Sequence, residues 1–595
     1  MDAKMGKGKD YVKGGAFLIE DRQASEIFTP EDFTEEHKMI GETTKDFIDN
    51  EVVPQLEAME NHQWEVAKDL VNKAGDLGLF GVNIPEEYGG LELDQVSGVI
   101  IAEMSGRGGG FGTTYGAHSS IGLLPIVFFG SEELKKKYVP QIVSGEKVSA
   151  YCLSEAGSGS DALGAKTTAK LSEDGEHYIL NGEKMWISNG SFADFYIVFA
   201  KVDGEDKKFS AFMMERSENC RPGAEEHKMG IKSSSTTPLI LSDAKTPVGN
   251  LIGEVGDGAK IALNVLNVGR FKLGASVTGG AKLAIHHAIR YANEREQFDT
   301  PIANFGAIKH KLAEMAIKTW VAESITYRTV GMIDNLIGDG TDGAKKLKSI
   351  GEYAVESSIN KVYCSEVLDY VVDEMVQIYG GAGYSADYPA EKAYRDARIN
   401  RIFEGTNEIN RMLIPGMLLK KAMKGEFGLL KAATALQDEI LNPVMSFDED
   451  ISTLATELKL ARNAKKVALM VLGSAAQKYM GDIKNQQEIL IGCADIIMEA
   501  YAMETAVLRA KKVADKDGED AAKKYIDAAG VFCNDAIQRI EATAKNTIAG
   551  FAEGDEMKMM LVALKRFTKN NSPINTIAAR QRIADGLISA NTYNS

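Results

Sequence analysis

The sequence predicts a mainly α-helical protein with a central β domain: an α–β–α core followed by a C-terminal helical bundle domain. Three observations carry this. Apolar residues recur at helical spacing on both sides of the middle of the chain. Between about residues 148 and 257 the texture changes to short alternating and β-branched runs, separated by Asn-Gly, Asp-Gly and Pro-Gly turn signals. The 595 residues also exceed what one core holds, at roughly 100–200 residues per domain.

Residues 1–27 start Lys- and Gly-rich and read as an N-terminal arm. Thr29-Pro30-Glu31-Asp32 combines an N-cap residue, a proline at the first helical position and an acidic first turn. It opens a helical domain over 28–147, interrupted by glycine loops at Tyr88-Gly89-Gly90 and Ser105–Gly110. In the middle β domain, 148–257, the runs His177–Leu180, Phe195–Ala200, Phe209–Met214 and Leu239–Leu241 have no helical stretch between them. That pattern predicts an antiparallel sheet or small barrel. Helical spacing returns over 258–424, where Val367, Val371, Met375 and Ile378 share one face. Lys424–Gly428 reads as a joint, and 425–595, rich in Ala, Lys, Glu and Met, as an appended helical domain.

The apolar fraction of 44% and charged fraction of 26% are those of a globular protein and set aside disordered and collagen-like classes. A net charge of −17 repels phosphate backbones and argues against nucleic acid as a partner. Cys152, Cys220, Cys364, Cys493 and Cys533 lie singly, which fits neither a disulfide framework nor a zinc site and points to a reducing compartment. The eight histidines, His286-His287 among them, lack metal-ligand spacing. Residues 1–17 carry positive charge without the apolar stretch of a secretory signal, and no run of ~18 apolar residues occurs. A cytoplasmic location is expected.

Candidate chemistry gathers in four stretches. Gln377–Arg411 holds a glycine cluster and then Glu404, which follows Ile402 and Phe403 and precedes Gly405-Thr406. A carboxylate in apolar company is a candidate general base toward a weak carbon acid, because desolvation raises its pKa. Gly381-x-Gly383-x-x-Ala386 imitates a dinucleotide fingerprint, but that motif follows a strand, and here a helical pattern precedes it. The hydroxyls and amides of the Tyr151–Asp161 loop suit a pyrophosphate or a heterocycle edge, and a tight surface turn explains them as well. Trp186 and Ser188 share one side of a strand, as a flat ring needing a stacking face and one hydrogen bond requires; a core tryptophan is the alternative. Arg295 and Phe298 suit a phosphate and an adenine, or a solvated charged face.

Together these residues resemble the acyl-CoA dehydrogenase family of flavoenzymes. The Tyr151–Asp161 loop is similar to the family's first signature. Gln377-x-x-Gly380-Gly381-x-Gly383-Tyr384-x-x-Asp387-x4-Lys392-x3-Asp396 is similar to its second, and the resemblance covers about residues 30–420. It implies FAD as cofactor. Tyr151, Leu153, Ser154, Gly159 and Ser160 would bind the flavin and its phosphates, with Trp186 and Ile187 flanking the ring and Ser188 near N5. Arg295, Phe298, Gln377, Gly380 and Gly381 would reach the FAD of a neighbouring subunit, with Thr406 and Glu408 on the cofactor's other side. Ser160, Arg270 and Gly405 would contact substrate. Glu404 would be the catalytic base, taking the α-proton of an acyl thioester while the β-hydrogen leaves as hydride to flavin, giving a trans-2-enoyl-CoA. Relatives with the base elsewhere carry it just before the residue matching Arg270; that position is Gly269 here, which leaves Glu404.

The appended domain, Phe403–Asn407 and Met229–Lys232 resemble the very-long-chain branch of the family. That resemblance implies a long-chain fatty acyl-CoA substrate, the first step of β-oxidation, an electron-transfer flavoprotein as partner, and a homodimer, with a tetramer as the alternative. It also implies peripheral membrane contact through the appended domain. Lys565, Arg566 and Lys569 beside Met559, Met560 and Leu561 would serve an interfacial helix, against the alternative of a buried bundle helix. Ala156 replaces a family proline, and the small residues of Gly116–Ser120 fit a deep acyl pocket. The competing functions are an oxidase that passes electrons to oxygen and a family member acting as an assembly protein.

Overall fold

The computed structural model describes residues 11–338, 343–442 and 452–593, so the first ten residues of the expected arm lie outside it. The Thr29-Pro30 signal closes a single 3-10 turn, Pro30–Asp32, in which the Thr29 amide donates to the Asp32 carboxylate at 2.8 Å. The first α-helix instead starts at Thr34, whose hydroxyl caps the His37 amide (3.2 Å). The N-terminal helices are α1 (Glu35–Phe47), α2 (Leu56–Glu60), α3 (Trp64–Asp76), α4 (Gln95–Ser105), α5 (Gly110–Gly116), α6 (Leu124–Phe129) and α7 (Glu132–Val143). A π-helical turn, Ala117–Ile121, extends α5.

The β region holds β1 (Ser149–Cys152), β2 (Thr168–Leu171), β3 (His177–Ser188), β4 (Phe195–Val202), β5 (Phe209–Glu215), β6 (Cys220–Pro222), β7 (Thr236–Pro247) and β8 (Leu251–Ile252). They form one eight-stranded sheet in the order β6-β7-β3-β2-β4-β5-β8, with β1 also on β4. The sheet is mixed rather than antiparallel or barrel-like, because β1 and β2 both run parallel to β4. They meet successive parts of it, Phe195–Val198 and then Lys201–Val202, so the connection 153–167 is an excursion between two segments of one edge. The buried run of β4 serves both faces of the sheet. Phe195, Ile197 and Phe199 enter one core with α4, α7 and α8, while Tyr196, Val198 and Ala200 enter another with α1 and α3.

Next come α8 (Gly258–Glu294), the two-stranded hairpin β9 (Glu296–Gln297) and β10 (Thr300–Pro301), α9 (Gly306–Ile337), α10 (Gly343–Glu352), α11 (Ala354–Tyr379), α12 (Pro389–Ala397) and α13 (Asn407–Met423). The glycines after α11 cap a helix, Gly380 taking φ +60°, and no strand precedes them. The appended helices are α14 (Leu429–Leu441), α15 (Ala455–Tyr479), α16 (Gln487–Asp517), α17 (Lys523–Ala549), α18 (Gly554–Phe567) and α19 (Thr576–Ala590). No helix among the described residues is long and apolar enough to cross a membrane. All five cysteines are free and buried.

Two features tie the appended helices to the rest. Residues 11–27 are docked rather than free: Ala16, Phe17 and Leu18 are buried, and the Phe17 ring lies 4.6 Å from that of Tyr501 on α16. Buried ion pairs also cross the boundary, Arg509 to Glu323 (2.6 Å) and Glu31 (2.7 Å), and Arg328 to Glu504 (2.7 Å). Helix α18 turns Met560, Ala563, Leu564 and Phe567 into the bundle, so its apolar face is not free to lie on a lipid surface.

Candidate active site

Four elements converge on a cavity of about 120 Å³: the α5 end and its π-helical turn, the end of β3, the middle of α8, and the turn before α13. Thr113, Ser120, Ser188, Gly269, Phe403 and Glu404 are among its lining residues.

Glu404 sits at φ +58°, left-handed backbone that a residue with a side chain adopts at a cost of order 1–3 kcal/mol. The turn is held from below. Asn410 Nδ2 donates to the carbonyls of Gly405 (2.9 Å) and Thr406 (3.1 Å), and the Thr406 hydroxyl caps the Ile409 amide (3.2 Å). One carboxylate oxygen, Oε2, is buried without a hydrogen-bond partner. Burial pushes the Glu404 pKa up to about 7, against the pull of the positive charges on Arg270 and Lys361. A side chain poised near neutrality, with an unoccupied lone pair facing a cavity, can accept a proton from a bound molecule.

Gly269 leaves the room that the Glu404 carboxylate occupies. A Cβ there would stand 2.6 Å from Glu404 Oε2. Arg270, the next residue, is buried; its Nη1 donates to Asn267 Oδ1 (3.0 Å), its Nε has no partner, and its Nη2 lies 3.8 Å from where a Cβ on Gly405 would be.

The 151–161 loop borders the same region. Tyr151 Oη is buried without a partner and feels the Glu404 charge. Leu153 is buried, Ser154 half-buried, and Gly159 and Ser160 are exposed; a Cβ on Gly157 or Gly159 would meet no atom within 4 Å. Lys184 and Glu155 pin the loop. Lys184, fully buried, donates to Glu155 Oε1 (2.8 Å) and the Leu153 carbonyl (3.2 Å), while Glu155 accepts from the amides of Lys166 (2.6 Å) and Thr167 (3.0 Å). At the end of β3, a register shift between Lys184 and Ile187 leaves Trp186 at φ +63° and 59% exposed, with Ile187 buried and Ser188 facing the cavity. Asn189 follows, fully buried, its Nδ2 donating to the Thr114 (3.1 Å) and Ser149 (3.3 Å) carbonyls. An orphaned phenol, an open glycine cradle and an exposed indole face fit a flavin nucleotide.

The structure does not bring every predicted site residue to this cavity. Arg295, Phe298, Gln377, Gly380 and Gly381 gather at the far ends of α8 and α11, joined there by the stacked rings of Tyr291 and Tyr379 at 4.0 Å. Arg270 lies in α8 and Arg295 just beyond its C-terminal end, about 37 Å away at 1.5 Å per residue. All five are exposed, Phe298 by 90%. Thr406 is the α13 N-cap and Glu408 an exposed residue of its first turn.

Three site residues escape the sequence reading. Lys184 was legible, since alternation along β3 from Tyr178 and Leu180 turns it inward. Lys361 lies fully buried on α11 beside Ile359 and Val362, and a cation inside an apolar helical run was its signal. The pairing of Asn189 with Thr114 and Ser149 had none, because its partners are distant in sequence.

Family models for acyl-CoA dehydrogenases match the chain along most of its length: the N-terminal domain at residues 34–146, the middle domain at 150–244, and C-terminal domains at 256–418 and 463–566. A probable acyl-CoA dehydrogenase of Bacillus subtilis (strain 168) is 50% identical over 593 residues, 99% of each chain. The very long-chain specific acyl-CoA dehydrogenase of Rattus norvegicus mitochondria is 34% identical over 509 residues, 80% of this chain and 74% of the rat protein. A crystal structure of an acyl-CoA dehydrogenase complexed with FAD from Bacillus anthracis superposes with a TM-score of 0.96 at 51% identity, covering 98% of this chain and 100% of that one. On this identity over its whole length, the chain belongs to the acyl-CoA dehydrogenase family.

Proposed function

We propose that the protein is an FAD-dependent dehydrogenase of long-chain fatty acyl-CoA, with Glu404 as the base. The observation that carries this is the Glu404 carboxylate, buried, unpaired at Oε2 and pushed to a pKa of about 7 at a cavity shared with Ser188. Ser154, Gly159, Ser160 and the loop amides would hold the flavin, Trp186 would cover its ring, and Ser188 would bond to it. Bound FAD supplies the acceptor for the β-hydrogen and its electron pair. The chain's own part is to exclude water, to orient the acyl group between Ser188 and Glu404, and to take the α-proton on Glu404 Oε2. Arg270 places a positive charge beside the base, and the Glu404 backbone N–H is assigned to the thioester oxygen, where a donor acidifies the α-carbon.

Long-chain substrates are favoured by the small lining residues Gly112, Gly116, Ala117 and Ser120, and by a second cavity of about 280 Å³ that shares Gly112, Thr113, Ser276 and Asn400 and runs on to Leu283 and Val372. An electron-transfer flavoprotein would then take the electrons, in the first step of fatty acid β-oxidation. A homodimer is supported by the ~37 Å along α8 from Arg270, beside the Glu404 turn, to Arg295, which leaves the exposed Arg295 and Phe298 placed to reach a neighbouring subunit's site. We assign peripheral lipid contact to exposed Met423, Leu441, Met480 and the α18 residue Met559 around a cavity of about 1060 Å³, rather than to the buried α18 face of Met560 and Leu564.

Turnover across an acyl-CoA chain-length series, with Glu404→Gln alongside wild type, tests the reading. The variant keeps its bound flavin absorbance and loses about 10³-fold or more in kcat. Unchanged dehydrogenation by Glu404→Gln would falsify the base assignment. Peroxide forming at the rate of turnover, with no flavoprotein present, would replace that acceptor with oxygen.

A further inference from the structure

We propose that Lys361, Asn407, Glu366, Arg411 and Asp495 form a relay of hydrogen-bonded side chains through which the appended domain sets the electrostatic environment of Glu404, with Lys361 as the positioning residue beside it. The inference rests on the assignment of Glu404 as the base.

Lys361 is fully buried in the first third of α11 and, among the described residues, has no carboxylate within 4.0 Å of its ammonium group. A buried ammonium without an ion-pair partner is costly, so its position depends on what hydrogen-bonds it. Its Nζ donates to Asn407 Oδ1 at 2.6 Å. Asn407 opens α13, on the chain just past Glu404, and is equally enclosed. Its Nδ2 donates to Ser365 Oγ (3.1 Å) and Glu366 Oε1 (3.0 Å), which fixes the amide so that its oxygen faces Lys361.

Glu366 is in turn gripped by both terminal nitrogens of Arg411, at 2.5 and 2.9 Å, and Arg411 Nε donates to Asp495 Oδ1 at 2.7 Å. Arg411 is one helical turn from Asn407 on α13, which is why both reach the same neighbours. Asp495 belongs to α16 of the appended domain. A cavity of about 330 Å³ opens onto the Glu366, Arg411 and Asp495 end, while the Lys361 end is sealed.

The charged groups acting on Glu404 are Arg270 from α8 and Lys361 from α11; Lys272 of α8, its pKa lowered to about 8 by burial, lines the same cavity, and Glu404 in turn acts on Tyr151 of β1. Burial pulls the Lys361 pKa down to about 7, the charges of Glu404, Glu366 and Glu408 oppose this and that of Arg270 adds to it, so the charge of Lys361 depends on the groups that hold it. Arg270 is bonded within its own helix to Asn267, so Lys361 is the cation whose placement the relay controls. Its charge favours the ionised Glu404, so withdrawing that charge makes Glu404 hold its proton to higher pH.

The test uses the full-length, flavin-loaded protein. The protonated Glu404 carbonyl stretch is followed by infrared difference spectroscopy against pH, identified by its loss in Glu404→Gln, beside the pH profile of kcat/KM. In Lys361→Met the titration midpoint and the acid limb both move up by about one pH unit. Asp495→Asn moves them the same way by less, and Asp495→Glu restores the wild-type profile. If Asp495→Asn titrates like wild type while staying folded, the relay from the appended domain is wrong, whatever Lys361→Met does. If Lys361→Met lowers kcat at every pH without moving the midpoint, its role is structural only and the proposal fails. Should Lys361→Met not fold, Asp495→Asn alone decides. Turnover by Glu404→Gln would reject the base assignment, and the infrared midpoints would still report on the relay.

Discussion

At Glu404, two local costs fall on one residue: a left-handed backbone and a carboxylate taken out of water. The second has a sign that can be measured. In the folded chain its pKa is raised from an ordinary 4.5 to about 7, so the folded state holds a proton that the unfolded chain has already released. Stability linked to this group is intact below pH 4.5 and falls as pH rises through 7, by about 3 kcal/mol at most. Glu404→Gln removes that dependence. In urea titrations at pH 8 the variant is expected to be the more stable, with the gap closing towards pH 5. Coincident unfolding midpoints at pH 8 would show that Glu404 carries no such penalty. Under the proposed base assignment, the same substitution trades turnover for stability.

At the scale of elements, the 151–161 loop proposed to hold the flavin depends on a strand that places a lysine indoors. Burial alone would raise the Glu155 pKa, but the Lys166 amide, Lys184 and Thr167 outweigh it and hold the carboxyl down to about 2. Lys184→Met would leave this carboxylate without its cation, at a local cost of about 3–5 kcal/mol. The expected product folds, with its helical circular dichroism unchanged, but is purified with much less than one flavin per chain by visible absorbance. Full flavin occupancy in Lys184→Met would mean that the loop holds its shape without the ion pair.

For the whole molecule, the appended helices are not a detachable module. Ile317, Trp320, Ile325, Val355, Ile359 and Ile414 of the core helices share one apolar cluster with α15, α16 and α17, and Phe17 closes it from the N-terminal side. Cutting the chain after residue 424 would expose that cluster and strip Arg328 and Glu323 of the buried partners Glu504 and Arg509. Residues 1–424 alone are predicted to be insoluble or to lack a cooperative thermal transition, as calorimetry would show. A soluble fragment with a sharp transition would refute this coupling.

Helical periodicity, the turn-rich middle segment and the signature residues around Ser154, Trp186 and Glu404 are local patterns, and the sequence by itself determined the fold class and these candidates from them. What it could not decide depends on contacts between residues far apart in the chain. The parallel seating of β1 and β2 along β4 makes the 153–167 loop an excursion rather than a hairpin, and only the assembled sheet shows it. The ~37 Å that separates Arg295 from Arg270 at the Glu404 cavity is set by the length and path of α8. The raised pKa of Glu404 and the run of bonds from Lys361 to Asp495 exist only where four elements and a second domain pack together, because desolvation and charge coupling are properties of three-dimensional burial and not of neighbours in sequence.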